Sequence, residues 1–138
     1  MNSTLQFTLI QSHLHWEDPE ANLRQFEHTI KSITDKKEVV VLPEMFTTGF
    51  SMHPAALAEE INGVTMRWMQ RVAAENKIIL TGSVMIKDQN KYYNRLIWMQ
   101  PDAQYGVYDK RHLFTLSGEH KEFSPGEKKL IAQVKGWK

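Results

Sequence analysis

Residues 38–44 read EVVVLPE, a short β-branched run that stops at a proline and is followed by an acid. Apolar side chains occupy consecutive positions from Val39 to Leu42, which is typical of a strand covered on both faces. Pro43 cannot continue the hydrogen-bonded ladder and ends the strand. Because α/β proteins assemble active sites beyond the carboxyl ends of such strands, this stretch predicts an α/β fold with Glu44 at a functional edge.

On the N-terminal side, the sequence predicts a strand and then a helix. Leu5, Phe7 and Leu9 alternate with polar residues, the pattern of a strand with one buried face. Asp18 precedes Pro19, which indicates a helix start with Asp18 as the N-cap. The apolar face of this helix is predicted to consist of Leu23, Phe26, Ile30 and Ile33.

On the C-terminal side, one more helix is followed by strands in succession. The helix is predicted from about Val64 to Asn76. Gly82 lies inside a strand pattern and suggests a bulge or a close backbone approach. This order predicts a single domain, residues 1–138, in which helices cover a mixed sheet, and leaves open whether there is one sheet or two. The predicted strands are 78–86, 92–99, 105–108 and 130–134.

Composition excludes several classes of function. The chain has 17 basic and 16 acidic residues and a formal charge of +1, with no block of one sign, so we expect no nucleic-acid partner. No apolar run reaches membrane-spanning length, so we expect no membrane partner. The chain contains no cysteine, which excludes disulfides and thiolate metal sites within it and fits a cytoplasmic protein.

Histidine and serine chemistry are less favoured alternatives. His13 and His15 would share a strand face, and His112 and His120 lie near two glutamates in the sequence. No HExxH or comparable ligand spacing occurs, so core or surface histidines are favoured over a metal site, and we expect no metal or other cofactor. No serine lies in a G-x-S-x-G elbow.

Three charged residues are the candidate catalytic groups. Glu44 follows a buried strand, where a partly desolvated carboxylate could act as a general base; the alternative is a loop glutamate that caps neighbouring backbone. Lys110 follows the strand 105–108 in the same relation and could stabilise an oxyanion or pair with Glu44, or else be an ordinary solvated lysine. Glu119 is the third candidate, positioned to orient the lysine.

The loop after Glu44 carries candidate substrate-binding residues. Phe46, Phe50 and Met52 could wall a small pocket beside this acid, and a satellite hydrophobic cluster beneath the loop is the alternative. His112, two residues after Lys110, is the fourth candidate.

Two segments, VVLPEMFTTGF at 40–50 and YDKRHLF at 108–114, resemble the nitrilase superfamily of carbon-nitrogen hydrolases. Within it, the pattern is most similar to omega-amidases, which deamidate small 2-oxo dicarboxylate monoamides. Two ordered motifs at a family-like separation are far more specific than either alone. Further similarities are LTGS at 80–83, YNR at 93–95, and Glu119 ahead of SPG at 124–126.

The resemblance implies an αββα sandwich, of which this chain would be the N-terminal half. It implies Glu44 as general base, Lys110 as the cation that stabilises the oxyanion, and Glu119 as the assisting carboxylate. The family's nucleophile is a cysteine at the end of a later strand, and this chain has none. We therefore expect the chain alone to be inactive, and the full-length protein to be a homo-oligomer, a homodimer in the simplest case, that acts on a small-molecule amide.

A non-catalytic role is the alternative. Lys135 and Gly136 are typical of a hairpin turn, after which the last strand would lack its neighbour. An unpaired sheet edge invites a partner, so we expect this sequence to be the N-terminal part of a longer protein. The alternative hypothesis is a half-domain interaction module that needs a partner to complete its sheets.

Overall fold

The computed structural model describes residues 4–138. Strands and helices alternate in the N-terminal half, and strands follow one another in the C-terminal half, as the sequence predicts. The strands are β1 (Phe7–Leu9), β2 (Val39–Val41), β3 (Ile79–Asp88), β4 (Lys91–Met99) and β5 (Tyr105–Asp109). The helices are α1 (Pro19–Ser32), α2 (Pro54–Leu57), α3 (Val64–Asn76) and α4 (Glu119–Glu122), with a 3₁₀ turn at Thr115–Ser117 before α4.

All five strands form one mixed sheet in the order β1-β2-β3-β4-β5, which settles the choice between one sheet and two. The first three strands are parallel, and β4 and β5 continue the sheet antiparallel. Gln89 and Asn90 close the β3–β4 hairpin with positive φ angles, as two-residue turns of this kind require. β2 is an interior strand of the sheet, because β1 and β3 pair with it on either side.

Helix α1 begins as predicted and ends one residue early. Asp18 caps it by accepting a hydrogen bond from the backbone N–H of Ala21 at 3.0 Å. Leu23, Phe26 and Ile30 are buried toward the sheet, but Ile33 is the C-cap, has extended backbone and is only partly buried. The periodic face was therefore predicted one position too long.

Helices α1 and α3 cover one face of the sheet and enclose the main core. Phe46 lies at its centre, edge-on to Phe26 at 5.8 Å and tilted against Trp68 at 6.0 Å between ring centroids. Gly82 makes room for it, because a Cβ there would lie 2.8 Å from the Phe46 ring and 2.9 Å from Cβ of Leu42. The glycine therefore marks a close approach in an unbroken strand and not a bulge.

Of the helices in residues 4–138, only the short α2 and α4 lie on the opposite face of the sheet, near Met85 and Asn94. Two predictions fail on that face. Phe7 and Leu9 are 54% and 75% exposed, so the predicted buried face of β1 is wrong. They point away from α1 and α3, because Thr8 pairs with Val40 on the helix side. The predicted strand at 130–134 is also wrong: the segment is irregular, and only one bridge joins Val134 to Trp137 across the turn.

The molecule is thus one sheet with its two long helices on one side, which agrees with one half of an αββα sandwich. In the part of the chain that the structure describes, none of the helices combines the length and the apolar composition needed to cross a bilayer.

Candidate active site

The structure brings Glu44, Lys110 and Glu119 together at the carboxyl end of β2. The Nζ of Lys110 lies 2.9 Å from Oε1 of Glu44 and 2.9 Å from Oε2 of Glu119. These residues are distant in the chain: Lys110 follows Glu44 by 66 positions. The sheet places them side by side because the ends of β2 and β5 lie at the same edge.

Glu44 is aimed by a turn that is fixed to β3. The Leu42 N–H donates to the carbonyl of Thr81 at 2.7 Å, which carries the chain to the end of the sheet. Met45 adopts a left-handed conformation with φ of 46°, and its N–H donates to Oγ of Ser83 at 2.9 Å. The Glu44 side chain remains 50% exposed and is therefore less desolvated than its position after a buried strand predicts.

Lys110 is held through its backbone on both sides. Its N–H donates to the carbonyl of Asn94 at 2.9 Å, and its carbonyl accepts from the N–H of Gly126 at 3.0 Å. A side chain at position 126 would not fit, because a Cβ there would lie 2.2 Å from the carbonyl oxygen of Asp109. On the helix side of the sheet, Arg95 pairs with Asp109 at 2.6 and 2.9 Å and fixes the register of β4 and β5.

Glu119 opens helix α4 and is fully buried. Its Oε2 accepts from the N–H of Phe114 at 2.6 Å as well as from Lys110. Burial pushes the pKa of Glu119 upward, but the hydrogen bonds from Phe114, Asn94 and Lys110 together outweigh it and hold this pKa below its usual range. Glu119 is therefore an anion at neutral pH.

Lys110 is correspondingly a cation. Burial lowers the pKa of Lys110, but the hydrogen bonds to Glu44 and Glu119 outweigh burial and raise it above its ordinary value. A permanent ammonium held between two carboxylates suits stabilisation of a developing negative charge and not proton transfer by the lysine itself.

Asn94 is the residue of the cluster that the site predictions missed. It lies in β4, is buried, and donates to Oε1 of Glu44 at 2.7 Å and to Oε1 of Glu119 at 3.1 Å. In the sequence, Asn94 is noted only as part of the YNR motif at 93–95, which supports the family resemblance. The signal that could have found it is an amide inside a strand, because a buried polar side chain needs specific partners.

A cavity of about 260 Å³ opens beside the cluster on the sheet face that points away from α1 and α3. Thr81 is notable there: its Oγ1 is buried and has no hydrogen-bond partner in the structure. The walls are mostly apolar, with a few convergent polar groups, as in small-molecule sites. The lining residues are Val41, Leu42, Glu44, Thr81, Gly82, Ser83, Asn94, Leu96, Tyr108 and Lys110.

Of the predicted substrate-binding residues, Phe50 and His112 lie beside the cluster. The Nζ of Lys110 lies 5.2 Å from the centroid of the Phe50 ring, within the range of a cation–π contact. Phe50 and His112 line a second, more open cavity. Its other lining residues are Glu44, Lys110, Leu113 and Phe114.

Phe46 and Met52 lie elsewhere, so their prediction as pocket walls is corrected. Phe46 is fully buried in the main core, because the left-handed Met45 turns the chain back toward the helices. Met52 packs against a small cluster around Met45, Met85 and Phe123, and lines neither cavity beside Lys110. The alternative of a satellite hydrophobic cluster therefore describes Met52.

The histidine pairs, which are the less favoured metal hypothesis, are not grouped with acidic residues as a metal site would require. Across residues 4–138, no group of three histidine, aspartate or glutamate side chains is arranged to hold a metal ion.

Comparison with known proteins places this chain in a family. The model of the carbon-nitrogen hydrolase family matches residues 6–137, so the chain belongs to this family, within the nitrilase superfamily. It is 39% identical over 136 residues to omega-amidase YafV of Yersinia enterocolitica, covering 99% of this chain and 52% of that protein. It is 28% identical to 2-oxoglutaramate amidase of Bacillus subtilis (strain 168), covering 94% and 51%.

A solved structure of the same superfamily has the same fold. XC1258 from Xanthomonas campestris, a CN-hydrolase superfamily protein solved with an arsenic adduct in its active site, superposes with a TM-score of 0.92 at 35% identity. The match covers 96% of this chain and 50% of that one. The chain thus spans about half the length of the relatives it matches.

Proposed function

We propose that this chain carries the base and the oxyanion-stabilising cation of an amidase that converts a small 2-oxo dicarboxylate monoamide to the 2-oxo acid and ammonia. The observation that carries the proposal is the Glu44–Lys110–Glu119 cluster beside an apolar cavity. Similarity to an omega-amidase and to a 2-oxoglutaramate amidase supports this substrate class.

The nucleophile of this reaction is a cysteine that residues 1–138 do not contain. In the proposed mechanism Glu44 takes the thiol proton and the thiolate attacks the amide carbonyl, while Lys110 stabilises the oxyanion. The C–N bond then breaks, the nitrogen takes the proton from Glu44 and leaves as ammonia, and a thioester remains. Water, deprotonated by Glu44, hydrolyses the thioester to the acid and restores the thiol.

An ammonia-release assay tests the proposal. Residues 1–138 alone are expected to release no ammonia above background, because loss of a nucleophile typically costs about 10⁶-fold in rate. The product of the complete reading frame that encodes these residues is expected to contain the cysteine and to release ammonia from a 2-oxo dicarboxylate monoamide. A complete product that has the cysteine but releases no ammonia would contradict the proposed substrate class.

Glu44→Gln in that complete product tests the role of the base. We expect kcat to fall about 100-fold or more, the usual contribution of general base catalysis. Glu60→Gln is the matched control, since Glu60 is exposed and lies outside the cluster. A Glu44→Gln rate within twofold of the control would remove Glu44 from the mechanism.

A second candidate function is an interaction module, and the exposed apolar face of the sheet favours it. Phe7 and Leu9 present large apolar side chains there. If the face pairs with a second copy, light scattering after size exclusion should show residues 1–138 as a dimer and Leu9→Lys as a monomer. Leu116→Lys, at an even more exposed position outside the sheet, is the control. A stable wild-type monomer would argue against this function.

A further inference from the structure

Asn94 contacts the same two carboxylates of the cluster as Lys110 does. Its Nδ2 donates to Oε1 of Glu44 at 2.7 Å and to Oε1 of Glu119 at 3.1 Å. Lys110 donates to Oε1 of Glu44 and to Oε2 of Glu119, both at 2.9 Å. The four side chains therefore form a closed ring of hydrogen bonds, in which ammonium and amide donors alternate with carboxylate acceptors.

The ring uses the whole donor capacity of the Asn94 amide. An Asn side chain carries two N–H groups, and both are engaged with carboxylates. This amide nitrogen therefore has no N–H left for a ligand. Asn94 is also fixed through its backbone, because its carbonyl accepts the N–H of Lys110 at 2.9 Å. One residue thus holds the main chain of the lysine and the side chains of both glutamates.

Charge explains why a neutral donor belongs at this position. Glu44 and Glu119 contact the same ammonium, so two like charges are held close together in a partly desolvated site, and a single cation leaves one negative charge uncompensated. The amide offsets the repulsion with two N–H dipoles and adds no charge. A second cation would compete with Lys110 for the carboxylates, whereas an apolar side chain would leave the repulsion unopposed.

The ring also makes the two oxygens of Glu44 different. Oε1 accepts from both Asn94 and Lys110, whereas no residue in the described part of the chain donates to Oε2. Glu44 borders both cavities of the site, so Oε2 is the oxygen left to receive a proton from an incoming group. A carboxylate with one oxygen held and the other unoccupied is preorganised as a base.

We propose that Asn94 is a positioning residue of the amidase site, which holds Glu44 and Glu119 on either side of Lys110 and leaves Oε2 of Glu44 to act as the base. This inference rests on the proposed function for its catalytic meaning. The arrangement of the ring itself can be tested on residues 1–138 without any turnover.

The first test is Asn94→Leu, which keeps the size of the side chain and removes both N–H donors. We expect the pKa of Glu119 to rise toward its ordinary value, measured from the pH titration of its side-chain carboxyl carbon by NMR. Asn76→Leu is the matched control, because Asn76 donates one hydrogen bond within α3, to the Val72 carbonyl. The control should leave the Glu119 titration unchanged even if it lowers the melting temperature.

The second test is Asn94→Asp, which is isosteric but replaces the donor with a third carboxylate. We expect a further rise in the pKa of Lys110, followed by its side-chain Nζ resonance, because a third negative charge favours the ammonium. If Asn94 only filled space, both substitutions would change the melting temperature and leave the titrations of Glu119 and Lys110 as in the wild type. That result would overturn the inference.

A kinetic test in the complete product links the ring to the reaction. Asn94→Leu should lower kcat about 100-fold, the cost of misplacing a catalytic group by about 1 Å, with KM changed less than about twofold. Altered titrations in the Asn94 variants, together with a wild-type complete product that does not act on 2-oxo amides, would support the positioning role and reject the proposed function. Ammonia release by the wild-type complete product, together with unaltered titrations in the Asn94 variants, would support the proposed function and reject the positioning role.

Discussion

Thr81 and Ser83 lie two residues apart on the same face of β3, and only one of their hydroxyl groups has a hydrogen-bond partner. Ser83 accepts the Met45 N–H at 2.9 Å and so holds the turn that aims Glu44. Thr81, two residues earlier on the same face, is buried with an unpartnered Oγ1. A buried hydroxyl without a partner destabilises the fold, so the two residues should respond to substitution in opposite directions.

We expect Thr81→Val to raise the free energy of unfolding by about 1 kcal/mol, because the isosteric change removes an unsatisfied polar atom. Ser83→Ala should lower it by about 1 to 2 kcal/mol, because it leaves the buried N–H of Met45 without a partner. Urea unfolding of residues 1–138 measures both. Destabilisation by Thr81→Val as large as that by Ser83→Ala would mean that the Thr81 hydroxyl has a partner in solution.

At the residue scale, sequence patterns predicted where a residue lies in the fold better than the direction in which its side chain points. Glu44 and Lys110 could be found because each follows a strand, and topology brings strand ends together. Phe46 could not be assigned correctly, because its direction depends on the left-handed Met45, and a positive φ at methionine has no sequence signature. The partners of Asn94 come from three other segments of the chain, which no local pattern reveals.

At the scale of elements, the pairing of β4 with β5 connects an ion pair on one face of the sheet to the candidate catalytic cluster on the other face. Asn94 and Arg95 are consecutive and therefore point to opposite faces, as do Asp109 and Lys110. Arg95 is buried and binds Asp109 through two hydrogen bonds, with Asp88 as a further partner at 3.1 Å. The ion pair on the helix side thus fixes the register that sets Lys110 beside Asn94 on the other side.

Arg95→Met should lower the free energy of unfolding by about 3 kcal/mol, because it leaves the Asp109 carboxylate without its charged partner. Arg67→Met is the control: Arg67 is exposed and donates only to the carbonyl of Asn62, so its change should stay within about 0.5 kcal/mol. Guanidinium chloride unfolding of both variants gives the comparison. A loss below about 1 kcal/mol for Arg95→Met would show that the pair does not hold the register.

Among the elements, those with strong local signals were predicted well. Helix α3 and strands β4 and β5 match their predicted bounds to within a residue, because apolar periodicity and flanking turns agree there. The segment 130–134 has strand-like residues but pairs with none of the five strands, so only the Val134–Trp137 bridge forms. Strand propensity depends on a partner, and a single sequence does not specify whether one is present.

At the scale of the whole molecule, acidic residues link parts of the chain that are far apart in sequence. Glu27 joins α1 to α3: the hydrogen bond from Arg71 and then that from Lys31 lower its pKa to about 2. Glu38 ties the start of β2 to the C-terminal turn: Lys135, the Gln6 N–H and Lys36 lower its pKa to about 2. Both carboxyls therefore titrate below their unfolded value of 4.5.

Stability should fall as the pH is lowered from about 4.5 to about 2. In this window the unfolded chain binds more protons than the folded one, so acid favours unfolding, and the contribution of these pairs is complete above the unfolded pKa. Melting temperatures at pH 5 and pH 3 measure the effect. Glu27→Gln should reduce the difference and Glu60→Gln, at an exposed site, should preserve it. Equal melting temperatures at the two pH values would contradict the prediction.

The fold class, one domain with helices over a mixed sheet, followed from the order of elements, but the exposure of β1 did not. Alternation identifies which side chains share a face, and it assumes that the apolar face is the covered one. Here that face, with Phe7 and Leu9, points away from α1 and α3 and is exposed at β1. The covering layer is not a property of these residues alone, so their sequence could not predict its place.

The tryptophans give this uncovered side an optical label. Trp98 and Trp137 border a groove there with Phe7 and Val134, whereas Trp68 is enclosed in the main core. Indole emission shifts to shorter wavelength when water leaves the ring, and iodide quenches only rings that it can reach. Docking of a further layer against β1 and β4 would therefore be visible as a blue shift and a loss of quenching, without any chemical modification of the chain.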